Sequence, residues 1–190
     1  FLYISVALFA LFFFFGFEYL SFMALSAMIF FIYAFRNPER AVTLYEEGSV
    51  VSPVDGIVTA IKELQDGSQL IEIDSSLSDV ALLRAPFSSK IADAKICYGA
   101  KLPLEHPLAK HLNEHAQVTF TDRTSNTLTV KQILKQSFTS INLDAKKDIE
   151  LFQGVRYGFA YNSLTTITLP NSFKLRIGTG SVLTASQTLI

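Results

Sequence analysis

The chain is poor in three things, and each shortage removes a class of function. It has one cysteine, Cys97, in 190 residues. A lone thiol excludes an internal disulfide framework and suits a reducing compartment, and Cys97 reads as a small buried apolar residue in a strand. Positive charge is not in excess: 16 Lys and Arg stand against 17 Asp and Glu, so no basic stripe argues for nucleic acid. The first 35 residues hold a single charged side chain, Glu18. The chain opens on Phe1 rather than Met, so a few residues are expected upstream. Its opening segment is too long and too apolar for a cleaved signal, and no small-residue cleavage site follows it.

Apolar bulk takes the place of charge in that segment. Residues 1–17 are apolar except Ser5, residues 20–35 are apolar except Ser21 and Ser26, and Gly16 with the Glu18-Tyr19 pair separates the halves. At ~1.5 Å per residue each half reaches about 25 Å, slightly short of the ~30 Å hydrocarbon core of a bilayer. A single continuous span would hold Glu18 in hydrocarbon at ~2.5–3.5 kcal/mol, whereas a helical hairpin puts its carboxylate at an interface. The expectation is a transmembrane helical hairpin over 1–35 that anchors the chain. Arg36 and Arg40 follow it directly, which places that end in the cytoplasm and lets both arginines meet anionic headgroups.

From Ser49 on, the pattern changes to short alternating runs split by Gly, Pro, Asp and Asn. Strands are expected over 57–61, 70–73, 80–83, 94–98, 118–120, 128–133, 138–143, 165–169, 173–177 and 182–183, with one short helix over 107–116. Nothing supports βαβ units, and many short strands at close spacing predict a mainly β sandwich or barrel over 36–190. Ser52-Pro53-Val54-Asp55-Gly56 and Ala85-Pro86-Phe87-Ser88 each put a proline ahead of a turn that feeds a strand. Within the first of these, Asp55 alone reads as a turn residue capping its own backbone. The segment 175–185 resembles the hairpins of lipoyl-type barrels, but no lysine sits at an exposed tip to carry such a group.

The punctuation falls in a distinctive order: Arg36-Asn37-Pro38-Glu39-Arg40, Val51-Ser52-Pro53-Val54-Asp55-Gly56, Arg84-Ala85-Pro86, Tyr157-Gly158-Phe159-Ala160-Tyr161-Asn162-Ser163 and Thr168-Leu169-Pro170. That order resembles the short, membrane-attached branch of the phosphatidylserine decarboxylase family, and the likeness runs from the apolar hairpin to the last strand. The resemblance implies a chain that cuts itself before a serine, leaving a pyruvoyl cofactor on the new N-terminus. It also implies a phosphatidylserine-like membrane lipid as substrate, decarboxylated to phosphatidylethanolamine. The expected setting is the bacterial inner membrane with the β-domain facing the cytoplasm, as a monomer or an oligomer.

Carried over residue by residue, the resemblance makes Ser163 the nucleophile and Asn162-Ser163 the bond that is cut. The family has glycine where this chain has Asn162, and asparagine is the non-glycine residue that best tolerates a left-handed backbone. The family's Asp is present as Asp55. The histidine it orients would stand three residues before Arg84, where this chain has Ala81. Alanine can neither accept the serine proton nor form an imidazolium. Arg84 is the candidate for holding a phosphate or carboxylate through a bidentate contact, its plainer reading being a strand-end salt bridge.

Three histidines lie elsewhere, His106, His111 and His115. His111-Leu112-Asn113-Glu114-His115 fits the H-x-x-E-H pattern of zinc peptidases, but Pro107 shortens the helix that both rings would need and no third ligand is evident. No metal is expected. These side chains read as solvated or capping, with His115 or His111 as substitute bases for the missing histidine. The alternative to an enzyme is a non-catalytic, membrane-tethered β-domain that binds lipid or a partner.

Overall fold

The computed structural model describes residues 1–40, 49–123, 126–171, 173 and 175–189. The chain divides into two units, Phe1–Pro38 and Glu39–Ile190.

The first unit is a pair of helices, α1 (Leu2–Phe14) and α2 (Glu18–Ala34). Gly16 makes the break, at φ 72°. The rings of Phe1 and Phe31 stack 5.4 Å apart, so the helices run antiparallel as a hairpin. Both are apolar all round, and Phe13, Phe14 and Phe22 stay 71%, 83% and 71% exposed. The serine hydroxyls are satisfied within their own helices: Ser5 donates to Leu2 O, Ser21 to Phe17 O and Ser26 to Phe22 O, at 2.8–2.9 Å. Among the described residues, no helix is long and apolar enough to cross a membrane. The hairpin therefore forms where it was expected, but its transmembrane character is not supported. The physical reason is length: 13 and 17 residues span only ~20 and ~26 Å.

The second unit holds β1 (Gly56–Glu63), β2 (Gln69–Asp74), β3 (Leu82–Arg84), β4 (Ser89–Cys97), α3 (Ala109–Leu112), β5 (His115–Thr121), β6 (Thr127–Leu134), β7 (Asn142–Leu143), β8 (Glu150–Leu151), β9 (Arg156–Phe159), β10 (Ser163–Leu169) and β11 (Val182–Leu183). They form an eight-stranded sheet, β11-β1-β2-β10-β6-β5-β4-β8, and a three-stranded sheet, β3-β9-β7. Every named pairing is antiparallel. The large sheet ends on two different strands, so it is not a closed barrel.

Alternation in the sequence sets the buried face. In β5, Ala116, Val118 and Phe120 are fully buried, and in β10 Ser163, Thr165, Ile167 and Leu169 are. Leu83 and Tyr157 of the small sheet join Ile71, Val118 and Phe120 of the large one in a single core. Phe120 and Tyr157 meet edge to face at 5.3 Å, worth ~0.5–1.5 kcal/mol beyond their buried area.

Several boundaries differ from the expected ones. β4 starts at Ser89, because Ala92 falls at a register shift between Ile91 and Asp93 that breaks the alternation. The expected strand 138–143 shrinks to β7, and β8 and β9 were not anticipated: both are short, and β9 carries Gly158. The described residues of 173–177 form no strand. β11 pairs with β1 rather than closing a lipoyl-like hairpin, and the Arg176 N–H is satisfied by Leu189 O at 2.9 Å. The helix expected over 107–116 is only α3, since His115 already opens β5. Cys97 ends β4 half-buried rather than within the core.

Candidate active site

Ser163, the first residue of β10, lies between two strands. It pairs with Leu134 of β6 on one side, and its carbonyl accepts the Ser75 N–H at 2.9 Å on the other. Ser75 in turn donates its hydroxyl to the Asp55 carbonyl at 2.6 Å. Asp55 and Ser163 thus flank the end of β2, two strand spacings apart, or ~9–10 Å between backbones.

Ala81 is tied to the same neighbourhood. Its carbonyl accepts the Ala160 N–H at 2.8 Å, three residues before Ser163, and the Arg84 N–H reaches Pro53 O at 2.9 Å, two residues before Asp55. Four hydrogen bonds and three short runs of chain thereby close a circuit through Asp55, Ser75, Ser163 and Ala81. Positions spread across more than a hundred residues of sequence are held together by three backbone hydrogen bonds and the Ser75 hydroxyl.

Asn162 adopts φ 54°, the left-handed region that asparagine tolerates at little cost. Its carbonyl accepts the Lys135 N–H at 2.9 Å. The Ser163 hydroxyl is fully buried and has no hydrogen-bond partner among the described residues. The Thr165 hydroxyl and the Gln132 side-chain carbonyl are likewise buried and unpartnered, and Thr165 pairs with Gln132 across the sheet. Gln132 donates to the Tyr157 hydroxyl at 3.1 Å. Burial pushes the Tyr157 phenol far above its usual range, so it stays neutral.

The Asp55 carboxylate is fully engaged. One oxygen accepts the Ala185 N–H at 2.7 Å and the other pairs with Arg40 at 2.6 Å. With alanine at 81 there is no imidazole for it to orient, and Arg40, expected at a lipid surface, is its cationic partner. Arg84 is 6% exposed and donates to Gly154 O at 2.9 Å. Burial, then the charges of Arg156 and Arg40, hold its guanidinium below the ordinary arginine range.

The histidines do not converge on Ser163. His115 pairs with Ile133 while Ser163 pairs with Leu134 one residue on, so the two side chains leave opposite faces of the sheet. The His115 Nδ1 lies 3.0 Å from Asn113 O, and His111 is exposed on α3. Because α3 ends at Leu112, the two rings share no helical face, and no group of His, Cys, Asp and Glu among the described residues could hold a metal.

Asn113 and Glu114 have structural duties instead. Asn113 accepts the Leu102 N–H at 2.9 Å and donates to Leu102 O and Leu134 O at 2.8 and 2.7 Å. Glu114 accepts the Ile141 N–H at 2.8 Å, and its carbonyl takes the Leu134 N–H at 2.9 Å. Leu134 is pinned on both its polar groups, and that fixes where Lys135 begins. Ser75 and Lys135 had no signal in the sequence that would mark them as parts of this site.

A family model for phosphatidylserine decarboxylase matches residues 27–190. The chain belongs to the phosphatidylserine decarboxylase family. Relatives named phosphatidylserine decarboxylase proenzyme include one from Salinibacter ruber, 29% identical over 88% of this chain and 78% of its own length. Another, from Geobacter metallireducens, is 28% identical over 85% and 77%, and one from Geobacter sulfurreducens is 29% identical over 87% and 78%. No solved structure matches the chain. In this decarboxylase-family member Ala81 is bonded to Ala160 and Asn162 holds a left-handed turn.

Proposed function

We propose that this chain is a phosphatidylserine decarboxylase proenzyme that processes itself slowly at Asn162-Ser163. The observation that carries the reading is the arrangement at that bond: a left-handed residue, its carbonyl held by Lys135 N–H at 2.9 Å, and next to it a buried serine hydroxyl with no partner among the described residues. A donor at 2.7–3.1 Å is what a developing oxyanion requires.

The chemistry follows from these atoms. The Ser163 Oγ bonds to the Asn162 carbonyl carbon, negative charge grows on the oxygen that Lys135 N–H faces, and the C–N bond breaks. An ester and a free Ser163 amine result. Loss of the Ser163 Cα proton then breaks the Cβ–Oγ bond and releases Asn162 as a carboxylate. Water replaces the nitrogen, ammonia leaves, and a pyruvoyl group remains on the second fragment. Bound there, it supplies an electron sink for carbon dioxide loss from the lipid's serine headgroup. Arg84 supports binding of the lipid's anionic part.

Self-cleavage is slow because no imidazole stands at 81, and a positioned general base contributes about 10²–10⁴-fold. One turnover per molecule still suffices. The non-catalytic scaffold is disfavoured, since the relatives are named as proenzymes. The exposed phenylalanines of α1 and α2 suit burial in a lipid leaflet without crossing it, and we assign the chain to the bacterial inner membrane with Glu39–Ile190 in the cytoplasm.

Intact mass spectrometry of the purified chain tests this. The 21.1 kDa species should dominate at first, with a Ser163–Ile190 fragment bearing a ketone accumulating over hours to days and absent in Ser163→Ala. Ala81→His should accelerate it. If no such fragment forms in the native chain, nor in Ala81→His combined with Asn162→Gly, the proenzyme reading falls.

A further inference from the structure

Asp74 and Lys135 join their side chains across β10. Asp74 ends β2 and lies directly opposite Leu164 of β10. Lys135 follows the last residue of β6, on the other side of β10. Carboxylate and ammonium are bonded to each other, so the pair spans two strand spacings, or ~9–10 Å of backbone. It does so where both ladders run out: β2 and β10 make their last pair at Asp74–Leu164, and β6 and β10 at Leu134–Ser163. Side chains alternate along a strand, so Leu164 and Lys135 leave the face opposite Ser163 and Leu134. The pair therefore crosses behind the Asn162-Ser163 bond and leaves the face of the Ser163 hydroxyl clear.

Burial sets this pair apart. The Lys135 side chain is 13% exposed, whereas Lys62, Lys90 and Lys110, each paired with a carboxylate, keep 58%, 53% and 50%. Exposed pairs are screened and contribute little, but a lysine so enclosed depends on its partner. Leu164 and its neighbour Ile133, on the same face, are 3% and 4% exposed. The contact thus lies over an apolar floor, where charges attract more strongly than in water.

The end of a ladder is where strands open first. Here that end carries the Lys135 N–H bonded to Asn162 O at 2.9 Å, the donor that faces the developing oxyanion. Amide and ammonium belong to one residue, so holding the side chain holds the donor. We propose that the Asp74–Lys135 pair is a strap that keeps the Lys135 amide on the Asn162 carbonyl, making both side chains positioning residues for self-cleavage. The role in cleavage rests on the function proposed above; the strap itself does not.

The test is amide hydrogen exchange, read by NMR on the full chain carrying Ser163→Ala in detergent micelles, where no cleavage intervenes. Lys135→Met keeps the stem and removes the charge. It should lower protection of the residue-135 amide roughly ten- to hundred-fold and leave Val130, mid-ladder in β6, unchanged. Asp74→Asn should do the same, and the two together should lose no more than either alone. Asp74→Asn strands an enclosed ammonium and serves only if it folds; Lys135→Met carries the test. Lys135→Arg, or Asp74→Lys combined with Lys135→Asp, should recover most of the loss. With Ser163 restored, self-cleavage followed by intact mass should slow about ten-fold in Lys135→Met, short of the ~10²–10³ that removing an oxyanion donor costs. Lys135→Arg should bring it back. Unchanged protection in Lys135→Met would overturn the strap. Protection lost while cleavage keeps its native rate would overturn the positioning role. Protection lost with no fragment from the native chain, nor from Ala81→His combined with Asn162→Gly, would overturn the proenzyme reading and the positioning role with it.

Discussion

The Lys135 amide donates to the carbonyl oxygen of Asn162 at 2.9 Å, so the bond preceding Ser163 is already polarised before any reaction. This contact extends the β6–β10 ladder by one step, from Leu134–Ser163 to the next pair. What sets it apart from an ordinary ladder bond is the left-handed Asn162 that carries the acceptor.

Replacing Asn162 tests that turn directly. A left-handed backbone costs an L-residue roughly 1–2 kcal/mol, asparagine least. Asn162→Gly should therefore gain up to ~1 kcal/mol and cleave faster, because nothing crowds the carbonyl. Asn162→Val should lose about 1–2 kcal/mol. Urea midpoints and intact mass on the same samples check both.

Asn113 should prove to be a positioning residue. Asn113→Ala leaves Leu134 O and both polar groups of Leu102 without their partners, at about 2–3 kcal/mol. Self-cleavage should slow although Ser163 is untouched. Asn113→Asp, which keeps the acceptor toward Leu102 N–H and loses the donors, should fall between. An alanine variant that is destabilised yet cleaves at the native rate would make Asn113 purely structural.

Gly56 is needed where it stands. A Cβ there would lie 2.6 Å from Asp74 O and 2.9 Å from Ile73 Cγ2, at φ 155°. Gly56→Ala should lower stability by ~2–4 kcal/mol, from overpacking plus backbone strain. A thermal midpoint unchanged from the native chain would contradict the close approach of β1 and β2.

Thr165 offers the opposite sign. Its buried hydroxyl has no partner among the described residues, so Thr165→Val, matched in shape, should raise stability by about 1 kcal/mol and leave the cleavage rate alone. If cleavage slows instead, the hydroxyl takes part in the proton movements at Ser163, two residues away on the same face.

Much of the β-domain was legible because its signal is local. Alternation marked β1, β2, β5, β6 and β10, and Pro53 and Pro86 marked the turns that feed β1 and β4. Short strands escaped: β8 has two residues and β9 contains Gly158, so neither has enough alternation to stand out. The H-x-x-E-H spacing misled in a similar way. A period of four implies a shared face only if the helix continues, and α3 stops at Leu112. In the hairpin, composition located both helices and the break at Gly16, but apolar character alone could not decide whether they cross a membrane.

The sequence by itself determined which groups are available: a serine after an asparagine, an aspartate in a proline turn, an arginine before Ala85-Pro86, and an alanine at 81. Those follow from covalent identity and need no fold. Only the tertiary structure decided which of them meet. Strand order puts β2 between β1 and β10, so Ser75 can hold Asp55 and Ser163 at once, and it puts β6 beside β10, so Lys135 N–H faces Asn162. Sheet pleat decided the rest, sending the Ser163 hydroxyl to the face opposite His115. Backbone hydrogen bonds between distant strands carry no residue-specific signature, and for that reason the surroundings of the serine could be found only in three dimensions.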